Sequence, residues 1–384
     1  MLLTLGRVVV GLAATALAVA AVTSAIRTVV VPRGVPDRFA RVVFRVLDAP
    51  TAWRAGRASS AGELDRRTAG LAIRLLLALL VAWLGAVYLA GVGIQWGLAG
   101  GPAGRPFGAS ASALTTIGVS SVGAGASAAA YIEAALGLAL LALIIGYLPS
   151  IYAAFSRREA LVTKLAMRTG LPPAGPAILS RLWRPAGPQT VLSETWQAWE
   201  DWFVDVSESH TSFPVLGFFH SPQTDKSWIT AAGAILDAAA LALAAVDADW
   251  GPEAGLCLHA GIVSLRHVAD FFGIPYERAG AATIAVTRDE VTAARQELMA
   301  VGVPVVSDVG ATYDRFRARR AQYDDVLLAL CAYLYAPPAP WSTDKVVAAR
   351  HRPPIIRVGP GSLGRVYPPP DPSLGVNPRA ARPD

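Results

Sequence analysis

Apolar side chains fill the first 155 residues in runs longer than a soluble amphipathic helix needs. Residues 75–94 pass twenty positions without a charge. At about 1.5 Å of rise per residue, such a helix reaches across the roughly 30 Å hydrocarbon core of a bilayer. Residues 128–155 form a longer run in which Glu133 is the only charged side chain before the arginines that follow. Residues 2–31 form a third, with Arg7 and Arg27 toward its ends, where long side chains can snorkel to the interface. The pattern predicts three membrane spans. A cleaved signal peptide is the rival for the first, with Thr23, Ser24 and Ala25 as small residues at a cleavage point; against it, Arg7 is the only basic side chain ahead of the apolar run.

Polar positions between the runs set the orientation. Residues 32–74 hold nine arginines against Asp37, Asp48, Glu63 and Asp65, an excess of five positive charges. A loop of that kind stays cytoplasmic. Arg157, Arg158, Lys164 and Arg168 follow the third run, whereas residues 95–130 carry only Arg105. The expected topology is N-terminus outside and C-terminus inside. Composition agrees: of 384 residues 53% are hydrophobic and 16% charged, against about 25% charged in ordinary soluble domains. The net charge of +6 thereby reads as a topology signal rather than a nucleic-acid footprint. Cys257 and Cys331 lack metal-ligand spacing and read as buried thiols in a reducing compartment.

The external segment is unusual for a solvated loop. After the breakers Pro102 and Pro106, residues 107–114 are small and suited to two helical turns. Residues 115–123 read Thr-Thr-Ile-Gly-Val-Ser-Ser-Val-Gly, without charge and rich in hydroxyls and glycine. Non-helical backbone at membrane depth persists only where protein or a water-filled path surrounds it, so a re-entrant segment is expected.

With that order of span, short helix, Thr-Thr-Ile-Gly and second span, residues 71–158 resemble the pore module of two-span potassium channels. The family filter reads Thr-Val-Gly-Tyr-Gly after a further threonine. Thr115, Thr116 and Gly118 match it, Ile117 replaces valine, Val119 stands at the aromatic position, and Ser120 replaces the second glycine. Potassium transporters of the Trk/Ktr type likewise have one filter glycine per repeat. The resemblance implies a filter at residues 115–120, potassium as permeant species with no other cofactor, and a homotetramer, since one module per chain cannot ring an ion. Rings of carbonyls and a threonine hydroxyl replace the ion's water. Glu133 is expected either to buttress the filter from behind or to lie hydrated among headgroups. Gly137 and Gly146 are expected as inner-helix hinges or as packing positions, and Pro149 as a kink.

The remainder reads as helical and cytoplasmic. Prolines over residues 169–189 mark a linker. A helix over 193–209 turns Trp196, Trp199, Phe203 and Val206 to one face and Glu194, Glu200, Asp201, Asp205 and Glu208 to another, as a solvated acidic face or an attractor for basic segments. Residues 228–246 are almost long enough to span, but Asp237 at the middle would cost about 2.5–3.5 kcal/mol on insertion, so a buried domain helix is expected. Residues 252–272 form a helix with His259, Arg266, His267 and Asp270 on one side, in no recognised metal pattern. Residues 213–219, between His210 and His220, look strand-like. Helices are expected over 287–301 and 313–335, and disorder from 336 onward.

The predicted fold class is an all-α membrane protein with three transmembrane helices, a re-entrant pore helix and filter loop, and an α-helical cytoplasmic domain. Its parts are a first span (1–31), a basic cytoplasmic loop (32–74), the pore module (75–157), a linker (158–192), the helical domain (193–335) and a tail (336–384). The functional expectation is a tetrameric cation channel in the cell membrane; the alternative is a non-conducting scaffold or sensor. The expected partners are the bilayer and three further copies, with no nucleic acid and an unknown cytoplasmic ligand. No phosphate loop, dinucleotide glycine pattern or nucleophile elbow is present, and the spans hold no histidine or cysteine, so no enzyme is expected.

Overall fold

The computed structural model describes residues 2–31, 37–58, 60–99, 104–118, 124–184, 189–223, 225–248, 252–277 and 283–345. Among these residues the regular structure is helical, and the only extended pairing is an isolated antiparallel bridge between Val246 and Val305. The helices are α1 (Leu2–Val29), α2 (Arg38–Ala55), α3 (Ala61–Thr68), α4 (Leu71–Ala99), α5 (Gly104–Leu114), α6 (Ala124–Thr169), α7 (Gly175–Leu182), α8 (Thr190–Ser212), α9 (Trp228–Ala245), α10 (Glu253–Phe272), α11 (Arg288–Ala300), α12 (Val309–Arg320) and α13 (Asp324–Tyr333). Short 3-10 turns cover Pro214–Phe218 and Thr343–Lys345. By length and composition four helical stretches are able to cross a membrane: Thr4–Val29, Gly62–Ala99, Ala126–Thr169 and Trp228–Ala245. The chain divides into two compact units.

The first unit comprises Met1–Thr51, Gly70–Ala153 and Ser212–Val215. Here α1 lies along α4, and α4 also carries α5. Small residues permit the close approach: a Cβ on Gly93 would come within 2.7 Å of the Ala14 Cβ. A polar chain ties the same helices together. Trp83 Nε1 donates to Ser24 Oγ at 3.0 Å, and Ser24 Oγ donates to Asp37 Oδ2. Asp37 in turn accepts the Ala40 amide at 2.8 Å, which caps the start of α2. Ser24, the residue that suggested a cleavage point, is thus buried in the packing of α1 on α4. The stretch read as a basic loop contains two helices, α2 and α3.

The second unit comprises Ala52–Ala69, Ala154–Thr211 and Leu216–Asp384. Its centre is α9, every residue of which is buried, with α7, α10, α12 and α13 around it. The acid at the middle of α9 finds a base: Arg320 pairs with Asp237 and, at 2.7 Å, with Asp324, and donates to the Trp341 carbonyl at 2.7 Å. Tyr323 OH donates to Asp237 at 2.8 Å. Burial works against the Arg320 charge, but Asp237, Tyr323 and Asp324 hold the guanidinium protonated. Arg158 is a second buried hub. It pairs with Glu159 at 2.8 Å and donates to the Leu216 and Phe219 carbonyls, each at 2.8 Å.

Several expected boundaries move. The helix of the third span, expected to end near residue 157, runs on to Thr169 as the 46-residue α6, with Pro149 inside it. The proline-rich linker contains α7, whose Gly175 approaches the Asp237–Ala238 backbone so closely that a Cβ would fall 2.9 Å from the Ala238 nitrogen. The stretch read as strand-like holds a 3-10 turn, Pro214–Phe218, closed behind by Phe219 N on the Leu216 carbonyl. The expected helix over 313–335 breaks after Arg320, where the Tyr323 side chain turns in to Asp237. The tail's first ten residues are folded: Trp341 meets Phe316 edge-on with ring centres 5.5 Å apart.

Candidate functional site

The polar centre of the first unit is a carboxylate held between three helices. Glu133, 3% exposed, enters from the first turns of α6. Gln95 on α4 donates from Nε2 to Glu133 Oε2 at 3.0 Å, and Ser110 on α5 bonds to Glu133 Oε1. Gln95 and Ser110 are each fully buried. Ser110 Oγ also lies 2.9 Å from the Tyr88 carbonyl of α4. Gly91, one turn before Gln95, makes room: a Cβ there would overlap the carboxylate. The hydrated alternative for Glu133 does not hold; its oxygens are bonded to neutral side chains.

A hydroxyl has one proton to donate, and Ser110 has two oxygens in range. If the carboxyl is a neutral acid, its O–H donates to Ser110 and Ser110 donates to Tyr88. An ionised carboxylate leaves one acceptor without a proton. The cluster's effect is mechanical: it pins the short helix α5 to α4 and α6 in a region where an unsatisfied polar group is costly.

The segment that follows α5 has strained backbone. Thr116 has φ +56° and Gly118 φ +153°. A β-branched residue at positive φ is rare, and the Gly118 conformation is one that side chains resist. Thr115, Thr116, Ile117 and Gly118 are all exposed in the single chain, Ile117 by 84%. Thr115 donates its hydroxyl to the Ala111 carbonyl at 2.6 Å. Val119 and Ser120 lie outside the described residues. Gly137 packs closely against α5, since a Cβ would fall 2.8 Å from Leu114 Cδ1, which favours packing over a hinge. Gly146 has open space around it.

Sequence reasoning found Glu133 but missed Gln95, Ser110 and Gly91. The available signal was Gln95, the only amide in α4, one turn after a glycine. In the second unit the suspected histidine face disperses. His267 Nδ1 lies 2.7 Å from Ser207 Oγ, Arg266 bonds to the Gln322 carbonyl, and Asp270 accepts from Tyr276. Among the described residues no three His, Cys, Asp or Glu side chains group to hold a metal. On α12, Arg320 is spent in the core. On α8, Asp205 pairs with Arg157 at 3.2 Å.

No family model, no curated protein and no solved structure matches this chain. The functional reading rests on the residues themselves.

Proposed function

We propose that this chain is the subunit of a tetrameric cation channel of the potassium-channel type. In this reading α1, α4 and the first half of α6 are the three spans, α5 is a re-entrant pore helix, and residues 115–120 line the ion path. The second unit is a cytoplasmic assembly or gating domain, with the N-terminus outside. α9 stays out of the membrane in this reading because its acid is committed to Arg320 inside the domain. The observation that carries the proposal is the Glu133 carboxyl holding α5 by Ser110 and α4 by Gln95, just ahead of backbone at positive φ. A dehydrated cation needs fixed oxygens, and fixed oxygens need a short helix that cannot shift.

A non-conducting scaffold is the second reading, favoured by Ser120 at the second glycine position. Reconstitution of the full chain into liposomes, with potassium and then sodium gradients, separates the two. Potassium flux exceeding sodium flux is expected. Well-folded tetramers that pass neither ion would overturn the channel reading and leave the scaffold.

A further inference from the structure

Helix α2 turns apolar side chains away from the protein. Over its first turns the buried face is Ala40, Phe44, Asp48 and Thr51. The opposite face carries Val42 and Val46, 57% and 66% exposed, followed by the exposed Ala49. Arg38 and Arg45 are exposed beside them. In water this stripe would forgo the gain of burial on a helix that has a core face already. Aliphatic residues rimmed by arginine are instead the composition of a helix lying in the headgroup region of a bilayer, with methyls at the acyl boundary and guanidiniums on phosphates.

The position of α2 supports the same partner. Asp37, the cap of α2, is bonded to Ser24, five residues before the end of α1. Five residues of helix span about 7.5 Å, so α2 starts beside the last turns of an apolar helix able to cross the membrane. We propose that the outward face of α2 over residues 38–49 docks on anionic phospholipid headgroups of the leaflet at that end of α1. The inference rests on reading α1 as a span. The acid on these turns, Asp48, is buried, so the exposed charge is positive and complementary to a phosphate surface.

The test uses the full chain in vesicles with nitroxide labels at Val46→Cys and, separately, at Leu12→Cys, an exposed position within α1. Cys257 and Cys331 are buried, and the unsubstituted chain serves as the blank. Accessibility to oxygen reports hydrocarbon, and accessibility to a water-soluble nickel chelate reports water. In vesicles containing phosphatidylglycerol the Leu12 label is expected to favour oxygen strongly and the Val46 label moderately. Pure phosphatidylcholine, or Arg38→Gln with Arg45→Gln, is expected to shift the Val46 label toward nickel, by roughly five-fold per arginine in the membrane-bound population. A Val46 label in water beside a Leu12 label in hydrocarbon overturns the docking proposal and leaves the span intact. Both labels in water overturn the span, and the proposal with it. A Val46 label shielded from both probes, with Val46→Cys crosslinking between copies, overturns the proposal in favour of a protein interface.

Discussion

At the scale of single residues, the Glu133 cluster works by hydrogen-bond matching, so shape and proton inventory matter more than charge. Glu133→Gln keeps a donor for Ser110 and an acceptor for Gln95, and is expected to preserve assembly and flux. Glu133→Leu takes the acceptor from Gln95 Nε2 and leaves Ser110 only the Tyr88 carbonyl. It is expected to lower the thermal midpoint in detergent, with a loss of about 1–3 kcal/mol for each unpaired group. Gly91→Ala is expected to be as damaging, because its methyl would occupy the carboxylate's space. If Glu133→Gln proves as destabilised as Glu133→Leu, ionisation rather than hydrogen bonding holds the helices.

His210 gives a pH prediction at the same scale. It is fully buried, and burial together with the neighbouring Arg158 charge pushes its pKa well below the ordinary value. Its ring nitrogens lie 3.0 Å from the Val206 carbonyl and 3.2 Å from Arg158 Nη1, which suits a neutral ring donating to one and accepting from the other. An unfolded chain takes up this proton near pH 6.5, while the folded chain does not. Stability from this group is therefore whole above pH 6.5 and falls as the pH drops below it, by up to about 1.4 kcal/mol per unit. Thermal melts of the full chain between pH 8 and pH 5 are expected to show that fall. His210→Gln is expected to flatten it.

At the scale of helices, the buried pairs decide which apolar helix stays in a domain. Arg320→Met would leave Asp237 and Asp324 without their base and is expected to cost about 3–5 kcal/mol, measured by denaturant unfolding of the full chain. Asp237→Asn keeps an acceptor for Tyr323 and is expected to cost less. These pairs also show what was legible in the sequence. The run at 75–94 and the tryptophan face of α8 lie inside observed helices, because periodicity and charge-free length are local properties. The partners of Glu133 were not legible: Ser110 is 23 residues away and Gln95 is 38. The partner of Arg320 was not legible either, because its acid, Asp237, is 83 residues distant. The same pair explains the broken helix at residues 321–323, since a core ion pair overrode an unbroken helical pattern.

At the scale of the whole molecule, the chain presents apolar side chains that remain exposed among the described residues. Val81 on α4 is 68% exposed and Ile145 on α6 67%, and the Thr115–Gly118 turn is open as well. Lipid accounts for the apolar helix faces; in the proposed channel, symmetry mates face the exposed Thr115–Gly118 turn. Native mass spectrometry from detergent is therefore expected to give four copies of the 40.1 kDa chain. Gly118→Ala carries the sharpest consequence. The φ of +153° is one that alanine resists, and among the described residues nothing lies within 4 Å of where its methyl would go. The change should disturb the backbone of the turn without crowding any described neighbour. Assembly is expected to remain tetrameric while potassium flux falls at least ten-fold, the effect of about 1.4 kcal/mol on a transport barrier. Unchanged flux from Gly118→Ala tetramers would move the ion path away from residues 115–118.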